Sequence, residues 1–174
     1  MLNFSVRTLC AADAVDLLRF ELENRAWFEQ HVEPRLTTFF SSEGVNAHIA
    51  ELLELHARGE FHPFVLIDSA GRIVGRANLK AIDSARGSAE LGYRVGQNYV
   101  GKGLASFAVG ELLQQATQRW HLRQLEAFVS EANQASARVL LKHDFVRAEL
   151  QPGLARVQGQ TQDCWRYVRE LAAQ

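Results

Sequence analysis

Along the 174 residues the spacing of apolar and polar positions changes period several times. Residues 3–9 alternate, with Phe4 and Val6 on one side, which predicts a first strand. Over residues 13–25 the period lengthens. Val15, Leu18 and Leu22 share a stripe, and Asp16/Arg19 and Glu21/Arg25 stand at helical pairing distances. Residues 27–42 keep neither period; the segment is rich in aromatics and broken by Pro34. Ser42 reads as the N-cap of a second helix with the stripe Val45, Ile49, Leu52, Leu53 and His56, and Gly59 as its stop. Three consecutive strands follow, 63–67, 72–82 and 88–95, with a turn at Asp68-Ser-Ala-Gly71 between the first two. A helix over about 101–118 carries Ala105, Val109, Leu112, Leu113 and Ala116 on one face. Then come a strand at 124–129, a helix at 133–143, and strands at 145–150 and 163–170, with Pro152 and Gly153 in the last loop.

This order predicts one mixed α+β domain over residues 1–174, a mostly antiparallel central sheet flanked by about four helices. A uniform strand–helix alternation is missing, which argues against a doubly wound nucleotide fold.

Composition narrows the function classes. With 47% hydrophobic and 22% charged residues the chain reads as an ordinary soluble globule, and a net charge of −1 gives no basic footprint for direct nucleic-acid binding. The charge is uneven: residues 13–54 hold nine acids and three arginines, a net −6 that leaves +5 elsewhere. Such a segment either attracts a cationic partner through its field or is a pair of solvated helix faces. Cys10 and Cys164 stand in no metal-type spacing and are expected as free thiols in a reducing compartment. No signal-peptide pattern opens the chain and no apolar run approaches ~18 residues, so a cytoplasmic protein without a membrane span is expected. The histidines show no metal spacing, and no metal is expected.

The strongest chemical signal is Leu91-Gly-Tyr-Arg-Val-Gly-Gln-Asn-Tyr-Val-Gly-Lys-Gly-Leu-Ala105. A strand runs into a glycine-rich turn that opens directly into a helix, which aims several backbone N–H groups and a helix dipole at one point and so suits a phosphate. A P-loop reading fails because Gly103 stands where a hydroxyl should hold magnesium, and a dinucleotide fingerprint fails because no βαβ unit surrounds the turn. Val100-Gly-Lys-Gly-Leu-Ala105 resembles instead the Q/R-x-x-G-x-G/A signature of the GNAT N-acetyltransferase superfamily, departing at Val100. Ala89-Glu-Leu-Gly-Tyr93 is similar to that family's fourth strand. Asn133-Gln-Ala-Ser136, continued to Phe145, resembles a second signature of its ribosomal-protein N-terminal acetyltransferase branch (RimJ/RimL type), with Asp144 for the usual helix-ending glycine.

The resemblance implies the GNAT fold, acetyl-CoA as co-substrate and acetyl transfer to a primary amine without a covalent enzyme intermediate. It places the CoA pyrophosphate on Gly101, Lys102, Gly103, Leu104, Ala105 and Ser106, and the pantetheine arm beside the strand ending at Val95, whose N–H becomes a natural oxyanion donor. Asn133 is an N-cap, a pantetheine ligand or both. Where many relatives carry an acidic tyrosine this chain has Leu140, so Ser136 is the candidate proton donor to the leaving thiolate, with a cap partner as its plainer role. Glu90, on the strand leading to the acyl site, is the candidate base, or a strand carboxylate paired with an arginine. The favoured acceptor is a protein N-terminal α-amine, a basic N-terminus being one candidate; a small amine, or a non-catalytic acyl-CoA-binding role, is the alternative. Monomer and homodimer are both compatible with the sequence.

Overall fold

The computed structural model describes residues 3–172; the four terminal residues of the expected 1–174 domain lie outside it. Among the described residues the strands are β1 Ser5–Thr8, β2 His62–Ile67, β3 Ile73–Asp83, β4 Ser88–Val95, β5 Gln124–Ser130, β6 Val146–Val157 and β7 Gln160–Glu170. They form one sheet in the order β1-β2-β3-β4-β5-β7-β6, antiparallel throughout except where β4 meets β5. The helices are α1 Ala14–Glu23, α2 Arg25–Phe28, α3 Ser42–Ala57, α4 Leu104–Gln118 and α5 Gln134–Lys142.

Strand alternation sends side chains to two separate cores. On one face Leu79, Leu91 and Leu125 pack with Leu104, Ala108 and Leu112 of α4 and Leu140 of α5. On the other, Val65 and Ile73 pack with Leu17 and Phe20 of α1 and with Val45 and Ile49 of α3. Leu104 and Leu112 are fully buried, so truncating either to Ala costs about 2–5 kcal/mol and loosens α4 from the sheet.

The structure corrects several expected boundaries. The aromatic segment after α1 holds a fifth, one-turn helix, α2, and a 3-10 turn at Thr37–Phe39. The N-cap of α3 is Ser41, not Ser42; its hydroxyl accepts from the Gly44 N–H at 3.0 Å. α4 begins at Leu104, because Gly101 and Gly103 have φ of +74° and +82° and form the turn before it. β6 continues through Pro152 and Gly153, where a loop was expected: its register against β7 shifts between Gln151 and Ala155, and an edge strand tolerates proline at such an irregularity. Asp144 has φ +59°, the conformation anticipated for it after α5.

Candidate active site

The site follows from a break in the sheet. β4 and β5 pair only from Ser88 with Gln124 to Glu90 with Glu126, and beyond that point they separate. In the β3–β4 ladder the Gly96 N–H donates to Val74 O at 2.9 Å, so Gly75 and Val95 form a pair that exchanges no hydrogen bonds. By alternation the backbone N–H and C=O groups of Val95 and Tyr93, with the C=O of Leu91, therefore face the opening beside β5, the Leu91 N–H being taken up by the last β4–β5 pairing at Glu126. A strand edge of this kind accepts an extended arm as an extra strand.

A cavity of about 300 Å³ occupies the opening. Its walls include Leu91–Tyr93 of β4, Ala127–Ser130 of β5, Asn133 and Ser136 of α5, Cys164 of β7 and, at the mouth, His31–Glu33. Asn133 caps α5 by accepting the Ser136 N–H at 3.1 Å, so its capping role is real. Its side-chain NH2 makes no hydrogen bond among the described residues. Ser136 Oγ lies 2.7 Å from Tyr93 Oη, which joins α5 to β4 across the opening. Burial holds the Tyr93 phenol above its ordinary range despite the opposing hydrogen bond from Ser136, so it stays protonated and can donate. Burial, with Asp163 nearby, likewise raises the Cys164 thiol, which keeps it an unreactive wall residue.

Directly after β4, a 3-10 turn at Gln97–Tyr99 leads into Gly101-Lys-Gly103 and α4. No side chain caps α4, and its first intrahelical bond of this turn is Phe107 N–H to Gly103 O at 2.9 Å. The N–H groups of the first turn are thus available to an anion. A Cβ built on Gly101 or Gly103 meets no protein atom within 4 Å, so the turn is open and its glycines are required by backbone conformation rather than packing. These features fit a diphosphate. Leu104 anchors the turn in the core, Ala105 and Ser106 are half-buried, and Lys102 lies over the Tyr99 ring with Nζ 5.6 Å from its centroid. Ser106 Oγ is 2.8 Å from Nε2 of His143, so the start of α4 meets the end of α5.

Glu90 lies apart from this group. Its side chain points to the face of β4 that carries Arg94, opposite Tyr93, and is bound to Lys80 Nζ at 2.7 Å. It does not line the cavity. The cross-strand partner is lysine, where an arginine was anticipated. The residues without a signal in the sequence are the Tyr93 hydroxyl and the group of Arg35, Arg76 and Arg94 around the buried Glu21. Alternation along β4 puts Tyr93 on the face opposite Glu90, and its hydrogen-bond partner, Ser136, comes from another element, α5.

The acidic segment is largely neutralised. Asp13 pairs with Arg7, Asp16 with Arg19, Glu21 with three arginines, Glu29 with Arg25 and Glu54 with Arg58. Among the described residues Glu23, Glu33, Glu43 and Glu51 remain as exposed carboxylates outside such pairs. Among the described residues no helix is long and apolar enough to cross a membrane.

Comparison with known proteins agrees with this architecture. Residues 3–146 match the family model described as an acetyltransferase (GNAT) domain. The chain is 31% identical over 169 residues to the probable N-acetyltransferase YjcK of Bacillus subtilis, covering 96% of this chain and 91% of that one. Its fold superposes on the ribosomal-protein-S5-alanine acetyltransferase of Vibrio fischeri with a TM-score of 0.91 at 24% identity, covering 96% and 92% of the two chains. It superposes equally on RimL, a ribosomal L7/L12 alpha-N-protein acetyltransferase solved with coenzyme A, with a TM-score of 0.90 at 22% identity over 98% and 96%. The chain therefore belongs to the GNAT acetyltransferase family and is an N-acetyltransferase.

Proposed function

We propose that this single-domain enzyme moves the acetyl group of acetyl-CoA directly to the α-amine of a protein N-terminus. The observation that carries the reading is the opening between β4 and β5, edged by unpaired backbone groups and flanked by the Tyr93–Ser136 hydroxyl pair. The open glycine turn beside it supports a CoA pyrophosphate on Gly101–Ser106.

In this reading the amine attacks the thioester carbonyl, a C–N bond forms and the C–S bond then breaks. The Val95 N–H faces the developing oxyanion. The Ser136 hydroxyl gives its proton to the departing thiolate while Tyr93 donates to Ser136 Oγ and stabilises the resulting charge. Asn133 retains its NH2 for the pantetheine arm. Glu90, held by Lys80 outside the cavity wall, takes the amine proton through water. Positioning of amine and thioester supplies much of the remaining rate.

A peptide acceptor is favoured because the cavity mouth is open: its wall includes the exposed Val32, Glu33 and Leu154. The preference for a basic N-terminus loses its main support, since most acids of the front segment are already paired. The test is acetyl-CoA turnover over N-terminal peptides and small amines. Peptides are expected to give the highest kcat/KM. Faster turnover of spermidine-sized amines than of any peptide would replace this acceptor by a small molecule, and absence of turnover with every amine would reject the catalytic reading.

A further inference from the structure

On the face of β4 that carries Gly92 and Arg94 the charges do not balance. Arg76 Nη1 donates to Glu21 Oε1 at 2.6 Å, and Arg94 Nη1 lies 3.4 Å and Arg35 Nε 3.8 Å from Glu21 Oε2. Three guanidinium groups thus share one carboxylate that is only 1% exposed. His48 adds no charge: its Nε2 accepts from Arg76 Nη2 at 2.9 Å, and burial beside the arginines pushes it down to about 3. Arg76 and Glu21 are consumed by each other. Arg35 is left with a buried Nε that has no hydrogen-bond partner, and its pKa falls to about 10 through burial and repulsion from Arg94. The Arg35 guanidinium is steadied by Glu21 and by the Phe39 ring 4.3 Å away, but its Nε hydrogen bond is unmade, and a planar two-oxygen anion matches its donor fork.

The space beside these groups is small. A cavity of about 10 Å³, room for about one water molecule, is lined by both Arg35 and Arg94 and opens beside the exposed Val32 and Glu33, so an incoming carboxylate would displace any water held there and enter from the rim. It shares Val32 and Glu33 with the larger cavity that holds Tyr93 and Ser136, so the two adjoin. The other carboxylate on this wall that has a partner, Glu29, is bound to Arg25 at 2.8 Å, and Glu33 stands exposed at the rim. Gly92, which has no side chain to close the opening, lines the larger cavity two residues before Arg94, a spacing of about 7 Å along the strand.

We propose that Arg35 and Arg94 form a seat for a carboxylate carried by the acceptor, about one residue away from its reactive amine. The inference rests on the acetyltransferase reading and names the acceptor class that reading leaves open: amines bearing an acidic group, whether an acidic side chain at the second residue of a peptide or the α-carboxylate of a free amino acid. Its spacing favours the peptide.

The experiment compares kcat/KM for Ala-Glu-Ala-amide against Ala-Gln-Ala-amide, and for alanine against alaninamide, in the natural protein, Arg35→Met and Arg35→Lys. Glu21 keeps Arg76 and Arg94 in these variants, so the fold is expected to hold, as checked by an unchanged acetyl-CoA-induced rise in melting temperature. The expected result is a preference of about tenfold or more for the acidic peptide, erased in Arg35→Met and partly kept in Arg35→Lys, with the Gln peptide turned over alike by all three. The same Arg35-dependent preference in the alanine pair alone assigns the seat to a small amino acid and supports it equally. No preference in either pair, or one that survives in Arg35→Met, overturns the seat. If no amine is acetylated, the catalytic reading has failed; the seat is then judged by whether the N-acetylated Glu peptide, and not the Gln one, raises the melting temperature of the natural protein but not of Arg35→Met. Absence of that difference overturns it.

Discussion

Ser136 and Tyr93 carry the most direct residue-level consequence. Replacing Ser136 by Ala removes a proton donor needed only as the thiolate leaves, so kcat is expected to fall about 10²-fold while the KM for acetyl-CoA stays nearly unchanged. Tyr93→Phe takes away only the supporting bond and is expected to cost less, about tenfold. Because burial raises the phenol above its ordinary range, its ionisation should produce no loss of rate below about pH 10. Steady-state kinetics decides: full kcat in both variants across pH 6 to 9 would leave positioning alone as the mechanism. At this scale Asn133 and Ser136 were readable because motif spacing within one helix start defines them. The Tyr93 hydroxyl was not, because its partner lies 43 residues away and reaches it only after α5 docks on the sheet. Nor was the Lys80–Glu90 pair, which depends on the register between β3 and β4.

Among the elements, those that bury one regular face were legible: β4 was placed at its observed limits, and the apolar stripe of α4 gave its core contacts at Val109, Leu112 and Ala116. Where the boundary depends on tertiary partners the sequence misled. Pro152 and Gly153 signal a loop, yet β7 pairs with β6 on both sides of them and carries the strand through. Ser41 and Ser42 are equivalent as letters; Ser41 wins the cap because its backbone is extended, with φ −134° and ψ 165°, and its hydroxyl meets the Gly44 N–H. The parting of β4 from β5, which creates the site, has no local signature at all, since each strand alone has an ordinary alternating pattern. The same holds for the arginine group around Glu21, drawn from α1, β3, β4 and the segment before α3.

At the scale of the whole molecule, stability should depend on pH through His62. It is fully buried, with Trp120 Nε1 donating to its Nδ1 at 3.0 Å and Thr8 Oγ1 2.9 Å from its Nε2, an arrangement that needs the neutral ring. Burial and the neighbouring His56 push it down to about 3, against 6.5 in the unfolded chain. The unfolded state therefore binds the proton first, and this contribution is present above pH 6.5 and lost as pH falls toward 3. Between pH 7 and pH 5 urea unfolding should show a loss of about 2 kcal/mol from this residue, on top of a further loss from His48, which is likewise pushed down to about 3; an unchanged stability over that interval would mean both rings accept their protons in place. The central claim, that the glycine turn before α4 holds acetyl-CoA, is tested most directly by ligand-induced stabilisation. Acetyl-CoA at about 100 times its Kd should stabilise the natural protein by about 2.7 kcal/mol, a rise in Tm of roughly 5–10 °C. In Gly103→Val a β-branched side chain is forced into φ near +82° on the surface where phosphate must approach the backbone, without clashing with any protein atom within 4 Å. That variant should fold with a lowered Tm and show no rise with acetyl-CoA, and ATP with magnesium should stabilise neither protein. A full acetyl-CoA shift in Gly103→Val, or a large ATP-magnesium shift in the natural protein, would contradict the account.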